Sequence, residues 1–79
     1  MHLTILTPNK KIFEGSVLTC KFPGDLGKFQ VLKGHAPIIS MLKSGYIFYK
    51  VDSTVFNFKI TSGVVEVLNN EITVLVSEE

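Results

Sequence analysis

The sequence predicts an all-β domain, a β-sandwich or flattened barrel, and three observations carry that expectation. The chain holds nine valines, seven isoleucines and six threonines against a single alanine, Ala36, a balance that suits pleated strands and leaves helices little to work with. Apolar and polar residues alternate with a period of two through several segments, and no stretch shows the 3.6-residue period of a substantial helix. Turn-forming clusters of Gly, Pro, Asn, Asp and Ser recur about every eight residues, the spacing of short strands in a sandwich.

Taken in order, residues 2–7 read as a first strand with Leu3 and Ile5 on one face, closed by Pro8 and Asn9. Residues 11–13 read as a short return strand. Residues 16–22 alternate, so Leu18, Cys20 and Phe22 are expected inside and Val17, Thr19 and Lys21 outside. An inward Cys20 is a packing residue, because a reactive thiolate needs a base or cation beside it. Residues 23–27, PGDLG, form a turn with two glycines able to take positive φ, and 28–32 resume as a strand. The loop 34–37, GHAP, leads into the apolar segment 38–42, a short turn or strand, and 43–45 is a further loop. Strands 46–51 and 55–60 flank the hairpin loop Asp52, Ser53 and Thr54, with Phe56, Phe58 and Ile60 expected on the core face. After a turn at 61–63, strands 64–68 and 71–77 meet across Asn69 and Asn70, both tolerant of the left-handed geometry of a tight hairpin. Residues 72–76 are apolar on both faces, so this strand is either central in the sandwich or covered by another chain. The total is eight or nine short strands.

Length and composition bound the function. Seventy-nine residues make one domain, 1–79, with a large surface for its core. With 46% hydrophobic residues and a mean hydropathy of +0.33, some apolar side chains are expected to face a partner. Eight lysines, no arginine and a net charge of +1 argue against nucleic acid as a partner and against a phosphate-clamp enzyme. One cysteine precludes an internal disulfide and suits a reducing compartment. The N-terminus lacks the pattern of a signal peptide, and no apolar run approaches the roughly 18–20 residues of a membrane span.

The motifs of chemistry are missing. His2 and His35 lie on separate segments with no second ligand at metal-binding spacing. No serine or cysteine sits in a nucleophile turn. PGDLG leads into a strand, not into a helix N-terminus, so it is no phosphate loop. No catalytic residue, metal, cofactor or nucleotide site is therefore expected. Phe29, Tyr46, Phe48, Tyr49, Phe56 and Phe58 suit a stacking platform for single-stranded nucleic acid, but alternation places Phe56 and Phe58 in the core and no basic groove is legible.

The segment PGDLGKFQVLKGHAPIISMLKSG, 23–45, resembles the central signature of the epsilon subunit of F-type ATP synthases, called delta in mitochondria. Val31, Leu32, Lys33, Gly34, His35, Ala36, Pro37, Ile38 and Ile39 stand where the family has a segment ending in Gly-His-Ala-Pro and two apolar residues, and Leu42 and Gly45 follow in place. The opening LTILTPNKKIFEGSVLTCKFPG is similar to the family's first hairpin, with Phe13, Glu14 and Gly15 as its Phe-x-Gly step. The closing SGVVEVLNNEITVLV is similar to its last two strands, so the resemblance covers the whole chain.

The resemblance implies a ten-stranded β-sandwich on the foot of the gamma subunit, resting on the ring of c subunits. The role is that of a non-catalytic rotor subunit in the central stalk, coupling proton translocation to ATP synthesis. It implies a gamma contact through His35, Ala36, Pro37, Ile38, Ile39, Met41 and Leu42, and a c-ring contact through Asp25, Leu26, Gly27 and Lys28. It also implies a peripheral position on the cytoplasmic face of a bacterial inner membrane, with membrane association only through the complex. Relatives usually continue into a two-helix C-terminal domain; with the chain ending at Glu79, the inhibitory switch and its nucleotide site are expected to be missing. Lys33 replaces a common proline and Gln30 a common glycine, and Lys28 falls where the family often has an acid, with Asp25 three residues earlier. Two other readings compete: a generic β-sandwich interaction module, and a small oligonucleotide-binding barrel. A lipoyl or biotin carrier is disfavoured because the turn at Asn69 and Asn70 offers no lysine.

Overall fold

The computed structural model describes residues 1–78, in nine strands and no helix. They are β1 (His2–Leu6), β2 (Lys11–Ser16), β3 (Thr19–Gly24), β4 (Gly27–Val31), β5 (Ile38–Leu42), β6 (Gly45–Val51), β7 (Thr54–Ile60), β8 (Ser62–Leu68) and β9 (Glu71–Ser77). The order β2-β1-β9-β8-β5 makes one half of the molecule and β4-β3-β6-β7 the other. The halves join where β5 meets the end of β3, at the single pair Gly24–Leu42. All pairs are antiparallel except β1 with β9, which sets the first strand beside the last.

One apolar core is shared by both halves. Leu3, Ile5, Val65, Val67, Ile72 and Val74 enter it from the first, and Cys20, Phe22, Val31, Ile47 and Ile60 from the second, each at most 2% exposed. No polar or charged side chain is buried among the described residues. At the open seam Phe13 of β2 lies 4.6 Å from Tyr49 of β6, and Tyr49 stacks on Phe56 of β7 at 5.6 Å. Edge strand β2 thus closes on the other half through ring contacts, without ladder hydrogen bonds.

Several expectations need correction. Residues 11–16 are one full strand, and 16–22 are not. The Val17 N–H donates to the Met1 carbonyl at 2.9 Å and the Leu18 N–H to the Lys50 carbonyl at 2.8 Å, so the chain changes halves at these two residues. That crossing slips the alternation by one: Val17 is buried and Leu18 is 57% exposed, while Cys20 and Phe22 point inward as expected. The segment 38–42 is a strand. The β6–β7 loop is two residues, Asp52 and Ser53, with Asp52 at φ 53° and Thr54 already paired to Val51. Ile60 alone of its face is fully buried; Phe58 is half-buried and Phe56 is exposed, because β7 is an edge strand that outruns the core. The Asn69–Asn70 turn has both residues at positive φ, 51° and 61°, as a two-residue hairpin of this hand requires.

Candidate interaction site

β5 carries most of the residues singled out in the sequence, and its neighbours decide what they can do. Alternation turns Leu42 into the core and Ile39 and Met41 outward, 73% and 60% exposed, with Ile38 half-buried. Across the ladder Met41 pairs with Val64, Val64 with Leu75 and Leu75 with Leu6. The four side chains form an apolar row across the outer face of β5, β8, β9 and β1, and Leu75 keeps 47% of its surface in water. The next row runs Ile39, Glu66, Thr73, Thr4. β9 is therefore central in its sheet, and Leu75 is the apolar side chain on its outer face. Val64, Leu75 and Leu6 were not singled out in the sequence, because only the register aligns them with Met41.

The loop 32–37 is pinned beside this face. The His35 N–H donates to the Leu32 carbonyl at 3.0 Å, and the Gly34 N–H donates to Oδ1 of Asn70 at 2.8 Å. Gly34 sits at φ 83°, where a side chain is strained. The His35 ring places Nδ1 2.7 Å from the Ala36 carbonyl; a carbonyl only accepts, so the proton is on Nδ1. His35 thus shapes its own loop, with Ala36 and Pro37 exposed beyond it.

Asp25 and Leu26 form the tip of the β3–β4 hairpin, with Gly24 paired to Gly27. The Asp25 N–H donates to the Met41 carbonyl at 3.0 Å and the Lys43 N–H to the Pro23 carbonyl at 2.9 Å, so the hairpin is tied to the end of β5. Leu26 is fully exposed, and Gly27 and Lys28 are also at the surface. The structure thus brings 25–28 next to one end of the apolar row, with His35 at the other end of β5.

Titratable groups have little to offer catalysis. Burial pushes the Cys20 thiol up to about 12, so it stays protonated and inert. Glu14 is held below the usual carboxylate range by its bond to Lys11 and then by His2, whose Nε2 is 2.9 Å away. No group of three metal-ligating side chains exists among the described residues.

Residues 1–78 match the model of a known family, described as "ATP synthase, Delta/Epsilon chain, beta-sandwich domain". The chain belongs to this family. It is 42% identical over 77 residues to the ATP synthase epsilon chain of Chlorobaculum tepidum, covering 96% of this chain and 88% of that one. The ATP synthase epsilon chain of Geotalea daltonii is 38% identical over 76 residues, of which this chain spans only 55%. Among solved structures, a chain in the cryo-EM structure of the Euglena gracilis mitochondrial ATP synthase, OSCP/F1/c-ring, superposes with a TM-score of 0.90 at 19% identity, over 96% of this chain and 49% of that one. A chain in the central stalk/c-ring structure of the Tetrahymena thermophila enzyme superposes at 0.81, also at 19% identity, over 98% and 63%. At that identity the two structures establish a shared fold. The delta/epsilon family accounts for the all-β architecture; the nine strands agree with the eight or nine read from the alternation and are one fewer than the ten that the resemblance implies.

Proposed function

We propose that residues 1–79 act as one domain in the rotor of an F-type ATP synthase, a non-catalytic subunit that binds gamma and the c-ring and helps couple proton translocation to ATP synthesis. The observation that supports this reading is the uncovered row Met41, Val64, Leu75 and Leu6, with Ile39 beside it. Such a face has no use in the core and is the kind of patch that marks a protein interface. In this reading gamma covers Ile39 and Met41 together with the loop at His35, Ala36 and Pro37; Ile38 flanks the contact, and Leu42 supports it from the core. The exposed tip Asp25, Leu26, Gly27 and Lys28 meets the ring. The subunit then sits at the membrane peripherally, through the complex, on the cytoplasmic face in a bacterium.

Co-expression of the chain with the gamma subunit of the same genome tests this. A stoichiometric complex on size exclusion is expected, weakened at least about tenfold by Met41→Glu or Ile39→Asp. A folded chain that forms no complex, or a complex indifferent to both substitutions, overturns the assignment of the face. Asp25→Lys is expected to spare gamma binding and to impair assembly with the ring.

A further inference from the structure

The outer face of β4, β3, β6 and β7 has the opposite character. Alternation places Lys28, Lys21 and Lys50 on it from three adjacent strands, and Lys43 stands at its rim, tied to Pro23. Between these cations Tyr46 and Phe48 stand two residues apart on β6, 48% and 39% exposed, their rings 6.1 Å apart and tilted by 36°. Phe48 lies directly opposite Lys21. All six side chains line one open groove of about 900 Å³, and no carboxylate among the described residues lines it.

Four ammonium groups around one groove repel each other, and the arrangement is a segregation, since the whole chain carries a net charge of only +1. Two exposed rings leave apolar surface in water at the same place. One kind of ligand relieves both: a flat ring bearing a short run of negative charges. The groove lies in the range of roughly 300–1,000 Å³ typical of small-ligand sites.

We propose that this groove binds a nucleoside di- or triphosphate, the base stacked on Tyr46 and Phe48 and the phosphates held by Lys21 and Lys50, with Lys28 and Lys43 adding charge. The lysines surround a single pair of rings and do not extend as a stripe, which favours one nucleotide over a strand. No glycine loop is needed, because the cations are side chains drawn from four segments. The groove is on the opposite side of the sandwich from the apolar row, so its occupancy and gamma binding are read separately.

Amide-shift titration of the 79-residue chain by NMR tests the proposal, with four probes: ATP, adenosine, inorganic tripolyphosphate and a short single-stranded oligonucleotide. Saturable shifts with ATP centred on Lys21, Phe48 and Lys50 are expected, with affinity at least about tenfold above adenosine or tripolyphosphate. Phe48→Ala is expected to weaken ATP about tenfold, and Lys21→Gln with Lys50→Gln by at least as much. The lysine variants change side chains outside the core, Lys21 exposed and Lys50 half-buried, and carry the test if Phe48→Ala fails to fold. Absence of saturation, equal binding of tripolyphosphate with no effect of Phe48→Ala, tighter binding of the oligonucleotide at equal nucleotide concentration, or shifts centred on the apolar row would each overturn it.

Discussion

At Gly24 there is no room for a methyl group: a Cβ would stand 2.6 Å from the Gly27 carbonyl oxygen and 2.9 Å from the Phe29 ring. Backbone cannot give way as a side-chain end can, so Gly24→Ala is expected to cost about 2–3 kcal/mol, measured as a drop in the urea midpoint. The turn role of this glycine was legible in PGDLG; the ring against it was not, since the contact of Gly24 with Phe29 depends on how the hairpin folds back. Cys20 makes a second prediction. Its thiol ionises near 9.0 when unfolded and is pushed to about 12 by burial, so the folded state holds the proton that the unfolded state releases. The stabilisation is complete below pH 9 and is lost as pH rises towards 12. Urea titrations over that range are expected to show the loss, and Cys20→Val to reduce it. The burial of Cys20 was legible from alternation, whereas the inverted neighbours Val17 and Leu18 were not, because the crossing between halves is a long-range event.

Each strand presents two faces, and β5 separates structural from interacting roles within five residues. Ile39→Asp is expected to change stability by no more than about 0.5 kcal/mol, since Ile39 is 73% exposed. Leu42→Asp places a charge in an apolar core and is expected to abolish folding, read as loss of the β circular-dichroism signal. In the sequence these two apolar residues are equivalent; a run of five cannot show which phase of the alternation faces the core. β9 was more readable. Apolar residues on both its faces indicated either a central or a covered strand, and the structure makes it central between β1 and β8 with Leu75 left in the outer row. Ile72→Ala on its inner face is expected to cost about 2–5 kcal/mol through the cavity it leaves, again by urea denaturation.

For the whole molecule, the decisive feature is a sandwich with two unlike outer faces, one apolar with Glu66 and Glu71 on its strands, the other ringed by lysines. Binding through the apolar row is expected to depend weakly on salt, and binding in the lysine groove to fall steeply between about 50 and 200 mM, because exposed charges are screened within a Debye length of roughly 10 Å. Isothermal titration at the two salt concentrations measures both slopes. The sequence by itself determined most of the strands, their tight turns at Asn69 and Asn70 and at Asp25 and Leu26, the inner face of β1, and the family signature around Gly34 to Pro37. These are local properties, set by β-branched content, a period of two and the φ that each turn residue tolerates. Only the tertiary structure decided that Leu6 would meet Leu75, that Met41 would extend their row, and that Lys21, Lys28, Lys43 and Lys50 would surround two aromatic rings. Strand neighbours and register arise from pairing between distant segments, as β1 with β9, and that choice is made by the shared core as a whole, not by any one segment's pattern.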